Sequence, residues 1–131
     1  MKTITKLIQI TLLSVFFYSI GYARPPAIEN RRWILEKFRD PQTKKEVYAD
    51  EYHYLEFRNG HVSFSIDCNN CSKSYEFISR DSINFSGNEL CTRKGCMEKD
   101  VIRVSYSGTY KIWIEGGYLI IRTKSWDHIY K

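Results

Sequence analysis

Residues 52–67 read Tyr-His-Tyr-Leu-Glu-Phe-Arg-Asn-Gly-His-Val-Ser-Phe-Ser-Ile-Asp. Asn59 and Gly60 at the centre are the residue types that accept the left-handed backbone of a two-residue hairpin turn, and alternating runs flank them. Pairing outward from the turn sets Arg58 against His61, Phe57 against Val62, Leu55 against Phe64 and His53 against Ile66. Every apolar residue of the second arm then shares one face with Phe57, Leu55 or His53. The opposite face carries Arg58, Glu56, Tyr54, His61, Ser63 and Ser65. A slip of one residue would put Phe64 in water, so turn chemistry and alternation predict the same register. The stretch specifies an antiparallel β fold.

The same reading extends to both sides. Gly116-Gly117 predicts a second hairpin, with Ile114 opposite Leu119, Ile112 opposite Ile121 and Tyr110 opposite Thr123 on the core face. Its other face sets Glu115 against Tyr118, Trp113 against Ile120 and Lys111 against Arg122. An aromatic–aliphatic pair on an outer face needs a cover or a partner, so Trp113, Tyr118 and Ile120 mark a candidate binding face. Cover by the chain's own helix or N-terminal loop is the alternative. Arg32–Phe38 is a first strand with Trp33 and Leu35 on one face, after an extended lead-in over 24–30. Asp40-Pro41 opens a charged loop that runs to Glu51, and Ser74–Ile78, Ser82–Phe85 and Ser125–Tyr130 are further strands. Met97–Ser105 fits either a short helix or a strand with Ile102, Val104 and Tyr106 on one side.

The N-terminus reads as an export signal. Lys2 and Lys6 precede an apolar run, Leu7–Ile20, which ends in Gly21-Tyr22-Ala23. The run is too short for a comfortable transmembrane helix, and no cysteine near the cleavage point allows acylation. Residues 1–23 are therefore expected as a signal peptide and 24–131 as one domain, periplasmic or secreted, with no stable membrane anchor. Cleavage leaves 108 of the 131 residues and, without Lys2 and Lys6, a formal net charge of +3 rather than +5. The basic pairs Arg31-Arg32, Lys44-Lys45 and Arg93-Lys94 are scattered, without the dense stripe of a nucleic-acid reader.

Four cysteines, Cys68, Cys71, Cys91 and Cys96, lie in the exported part, as in a small domain braced by two disulfides. Structural zinc is the competing reading of the Cys68/Cys71 spacing, but Cys91 and Cys96 are four residues apart where a ligand pair usually has two. A redox pair would want its first thiol at a helix N-terminus, whereas Asn69-Asn70 favours a turn.

Several of these elements together resemble the META domain family, which includes heat-shock-induced bacterial envelope lipoproteins. The resemblance rests on Trp33-Ile34-Leu35, the 54–62 hairpin, Cys68-Asn69-Asn70, Ser74-Tyr75 and Ile83-Asn84-Phe85. Thr92-Arg93-Lys94-Gly95-Cys96 and the terminal Tyr110-Lys111-Ile112 and Leu119-Ile120-Ile121 pair complete it. It covers Trp33 to the C-terminus. The chain departs from the family at Asp67, usually Gly, at Cys71, usually aromatic, in the length available after Cys96, and in lacking an acylatable cysteine. The resemblance implies a mainly β (α+β) fold: a curved antiparallel sheet forming an incompletely closed barrel, with one short helix packed against it. It gives Asn69, Thr92 and Arg93 motif roles that are structural, Arg93 bonding loop carbonyls or a carboxylate. It also implies the pairings Cys68–Cys96 and Cys71–Cys91, because the family commonly carries the first pair alone. Chain entropy agrees, since a Cys68–Cys96 bridge closes about 29 residues and contributes about 3–4 kcal/mol, more than short local loops.

No catalytic constellation emerges. His53 and His61 fall on opposite faces, no Gly-x-Ser-x-Gly turn exists, and Glu98 and Asp100 fit the acidic start of a helix. The chain is expected to be no enzyme and to hold no cofactor and no metal. The expected function is that of an exported accessory protein, stress- or virulence-associated by the family's associations, which binds another envelope or extracellular protein. Two alternatives stand beside it. One is a carrier of a small apolar ligand inside a half-open barrel. The other is a hydrolase inhibitor that inserts the Asp40–Ala49 loop into a cleft.

Overall fold

Asn59 and Gly60 turn the chain as their residue types require, with φ of 50° and 79°. They join β3 (Tyr54–Arg58) to β4 (His61–Ile66), with Arg58 opposite His61, Phe57 opposite Val62 and Leu55 opposite Phe64, in the predicted register. Gly116 and Gly117, at φ of 58° and 82°, join β7 (Gly108–Glu115) to β8 (Tyr118–Arg122). There Ile112 faces Ile121, Trp113 faces Ile120 and Lys111 faces Arg122, again as predicted.

The structure is a computed structural model that describes residues 27–50, 52–66, 68–95 and 104–131. The remaining strands are β1 (Arg32–Arg39), β2 (Glu46–Tyr48), β5 (Asn69–Ser79), β6 (Ser82–Cys91) and β9 (Asp127–Tyr130). All nine belong to one antiparallel sheet in the order β2-β1-β3-β4-β5-β6-β7-β8-β9, and β9 pairs back onto β1. The expected curved antiparallel sheet is present. Its expected open seam is corrected, because the β1–β9 ladder makes the pairings an unbroken ring. Physically, each strand has one apolar face, and joining the ends buries those faces together while removing two long sheet edges.

Within β1 the register shifts between Leu35 and Lys37. Such a bulge changes which residues face inward, so the inward set runs Trp33, Leu35 and then Phe38. Trp33 is fully buried, and its indole Nε1 donates to the Ile28 carbonyl at 2.9 Å. The lead-in thus covers one end of the ring. A series of aromatic contacts crosses the interior: Phe57 meets Tyr75 edge-on at 5.1 Å, Phe85 stacks on Tyr106 at 5.2 Å, and Tyr106 meets Tyr110 at 5.3 Å. The cavity lined by Leu55, Val62, Phe64, Lys73, Phe85 and Tyr106 has about 10 Å³, room for roughly one water molecule.

Other differences have local causes. The charged loop contains the short strand β2, held on β1 by the pairs Lys37–Tyr48 and Arg39–Glu46. Tyr54 and Ser65, expected on the wet face of the first hairpin, are buried. The Tyr54 hydroxyl donates to Asn70 Oδ1 and its backbone N–H to Ser65 Oγ, so polar partners inside the fold replace water. Ile114, expected in the core, is exposed beside the turn. No helix occurs among the described residues, so the short helix is not observed. Most of Met97–Ser105 lies outside the described residues, and the rest of it, residues 104 and 105, is irregular. Residues 1–23 also lie outside them.

Cys71 and Cys91 sit opposite each other on β5 and β6, with Cα atoms 4.0 Å apart, and form a disulfide, as the resemblance implied. That bond fits an oxidising compartment and removes two of the four thiolates that a zinc site would need. Cys68 is also disulfide-bonded. Its expected partner, Cys96, lies outside the described residues.

Candidate binding face

Strand alternation builds the outer face before any function is asked of it. Counted across β7, β8, β9 and β1, one outward row is Trp113, Ile120, Ile129 and Lys37. Ile120 and Ile129 are nonetheless only 2% and 3% exposed. Among the described residues, long side chains stand beside this row. Trp113 is half-buried, with Lys111 Nζ 5.3 Å and Arg122 Cζ 5.1 Å from its ring centre. Lys37 Nζ lies 5.9 Å from both the Tyr48 and the Tyr118 rings while donating to Glu46 at 3.0 Å. Cation–π contacts hold the aromatics of this face in place.

Asp127 anchors this layer. Its carboxylate is fully buried and accepts two bonds from Arg122, at 2.8 and 3.0 Å, and one from Arg39 at 3.5 Å. Burial by itself pushes the Asp127 pKa up. The Arg122 hydrogen bonds and the charges of Arg122 and Arg39 outweigh that and hold it below the ordinary value. Arg39 also reaches Glu115 at 3.8 Å. The predicted trio is therefore brought onto one face, with Ile120 as the buried floor and Trp113 and Tyr118 half-buried above it. Exposed Tyr48 of β2, opposite Lys37, extends the surface, an addition hidden in what reads as a charged loop. Beside Trp113 opens a groove of about 590 Å³.

The motif residues occupy a different place, beside the disulfide. Asn69 Oδ1 accepts from the Lys94 N–H at 2.7 Å and from Thr92 Oγ1 at 3.0 Å. Thr92 Oγ1 in turn accepts from the Asn70 N–H at 3.1 Å. Asn69 and Thr92 thus clamp the strand end to the loop after β6. Arg93 is exposed and forms no hydrogen bond or ion pair among the described residues.

Sequence reasoning missed a polar cluster inside the ring. The Tyr106 hydroxyl lies 2.6 Å from both Tyr130 Oη and His128 Nδ1. A neutral His128 that accepts from Tyr106, which accepts from Tyr130, satisfies every partner. His53 contacts the Ser65 carbonyl through Nδ1 at 2.8 Å, which makes Nδ1 the donor and leaves Nε2 buried without a partner. Lys73 Nζ donates to the Tyr106 carbonyl at 3.0 Å. Desolvation is the leading cause of every shift here: it lowers His53, lowers His128 to about 4, and raises Tyr106 and Tyr130 well above the usual tyrosine value. All four are therefore neutral at neutral pH. The available signal was the alternation that puts His128 beside Tyr130 and Val104 beside Tyr106.

This cluster sets an acid limit on stability. Because folded His128 protonates only near pH 4, against 6.5 ordinarily, the unfolded chain binds more protons between those values. The stabilisation is complete above pH 6.5 and is lost as pH falls toward 4, with His53 acting in the same direction. Urea melts across that range are expected to show falling stability, and His128→Gln to flatten the slope; an unchanged slope would reject the assignment.

No family model, curated protein or solved structure matches this chain.

Proposed function

We propose that the chain is an exported, non-enzymatic accessory protein of the META type, envelope-associated or secreted, that acts by binding another protein. One observation carries the reading: Trp113, half-exposed on the outer face, is already in cation–π contact with both Lys111 and Arg122 and stands opposite the buried Ile120. Binding hot spots favour Trp, Tyr and Arg, and an anchor fixed before binding loses little rotamer freedom on docking. Tyr118 and the exposed Tyr48 widen the patch with residues of the same kind. The Cys71–Cys91 bridge supports export, and association with stress or virulence follows from the resemblance alone. Among the described residues, the cavity at Leu55, Phe64 and Phe85 lends the carrier alternative no support, since about 10 Å³ is far below the roughly 300 Å³ of an ordinary ligand pocket.

The inhibitor reading keeps one supporting observation. Asp40 Oδ1 accepts from the N–H groups of Gln42 and Thr43, and its backbone bonds Lys44 and Lys45, so the 40–45 turn is rigid.

Immobilised protein and its Trp113→Ala variant, exposed to envelope extract and culture fluid, test the proposal. A partner retained by the first is expected to bind the variant at least about 30-fold more weakly, as for a hot-spot residue. Ile78→Ser, on another part of the surface, should leave binding intact. Equal retention by Trp113→Ala, with loss on replacing Lys44 or Lys45, would transfer the site to the 40–45 turn.

A further inference from the structure

The groove beside Trp113 has a composition that the protein-binding reading does not require. Lys111, Arg122 and Lys124 line it together with Ser and Thr hydroxyls, and no carboxylate is among the described lining residues, although Glu89 accepts from Ser105 Oγ at 3.2 Å. Arg122 is neutralised by Asp127, and Arg39 is shared between Asp127 and Glu115, so that network is balanced. Lys111 and Lys124 have no carboxylate partner among the described residues, which leaves two positive charges at the groove. The hydroxyls divide similarly. Thr123 is engaged with the backbone of Trp126, and Tyr110 with that of Ser107. Thr109 accepts from Asn84 Nδ2 and keeps its own proton to donate. The Ser107 and Ser125 hydroxyls make no internal hydrogen bond among the described residues.

We propose that this groove binds a phosphorylated sugar. Two ammonium groups without a carboxylate partner among the described residues suit a phosphate, because charge-assisted bonds are the strong ones, and Glu89 touches the groove only through Ser105. The free hydroxyl donors and acceptors suit a sugar ring. A volume of about 590 Å³ lies within the ordinary range for small-molecule sites and is larger than a bare phosphate needs. The site is open to solvent, so binding is weakened by salt. This inference does not depend on a protein partner; Lys111 also contacts the Trp113 ring, so Lys124→Gln alone, which should weaken the sugar phosphate and spare a protein partner, separates the two readings.

The exported protein, ¹⁵N-labelled, is titrated at low salt with glucose 6-phosphate, inorganic phosphate and glucose. Glucose 6-phosphate is expected to give saturable amide shifts around Thr109, Lys111 and Thr123–Ser125. Inorganic phosphate should shift the same residues more weakly, and glucose should do so hardly at all. Lys111→Gln with Lys124→Gln should weaken glucose 6-phosphate binding at least about tenfold while the rest of the spectrum is unchanged. Lys44→Gln, on the 40–45 turn, should have no effect. A phosphate carried by a lipid headgroup shares the chemistry, so phosphatidylglycerol vesicles are a second arm. Cosedimentation lost in the double variant would assign a lipid-borne phosphate, and glucose 6-phosphate binding without cosedimentation a free sugar. Shifts spread without saturation over lysines elsewhere, equal binding of glucose, or an equal effect of Lys44→Gln would overturn the proposal.

Discussion

Replacing Phe64 by Ala is expected to cost about 3–5 kcal/mol of unfolding free energy, and replacing Ser63 less than about 0.5 kcal/mol. The two residues are adjacent on β4 but point to opposite sides of the sheet. Phe64 is 4% exposed, stands between Leu55 of β3 and Cys71 of β5, and lines the small interior cavity. Ser63 is exposed between Glu56 and Ser72. Removing the ring costs its transfer free energy and leaves a void that the closed strand ring cannot easily collapse. Lys73 also lines that cavity, and water admitted by the void could solvate its ammonium, which places the cost in the lower half of the range. Guanidinium melts with a common slope would measure both values. Similar, small costs at the two positions would mean that the hairpin faces are assigned the wrong way round.

How far the fold could be read in advance depended on the range of the forces that set it. Asn59-Gly60 and Gly116-Gly117 fix local backbone, so the register of both hairpins was legible to the residue, whereas alternation misassigned the burial of Tyr54, Ser65 and Ile114. The Cys71–Cys91 bridge was legible through a resemblance, because loop entropy disfavours the short local pairs but does not choose between the two remaining pairings. Closure of β9 on β1 joins residues about 90 positions apart and has no local signature, so the inner polar cluster of His53, Tyr106, His128 and Tyr130 was not legible either. Strand β2 was hidden because its apolar residues, Val47 and Tyr48, face solvent. At the candidate face, the pairing of Trp113 with Ile120 was foreseen. The cation–π contacts of Lys111 and Arg122 with Trp113 were not, since long flexible stems leave no periodic signal in the sequence.

Asp127→Ala is expected to cost about 3 kcal/mol, the low end for removing one partner of a buried ion pair. Asp127 is fully buried, but the Arg122 side chain is 38% exposed, so the cation left behind can recover part of its hydration. Arg39 recovers less. Its side chain is 21% exposed and its Nε is already buried without a partner, and its remaining ion pair to Glu115 spans 3.8 Å. Asp127→Asn keeps the volume and one acceptor, so its cost should be smaller, about 1–2 kcal/mol. Combining Asp127→Ala with Arg122→Met should cost less than the sum of the single changes, since the first change already removes what the second would break. The charge contribution also has a pH signature. With a folded pKa below 3.8, Asp127 stabilises the fold above the ordinary carboxylate range and ceases to do so as pH falls through its folded value. Wild type and Asp127→Asn should therefore converge in stability at pH values below the ordinary carboxylate range, after correction for the histidine loss common to both. A difference that persists unchanged into that range would show that Asp127 acts through shape and hydrogen bonding rather than through its charge.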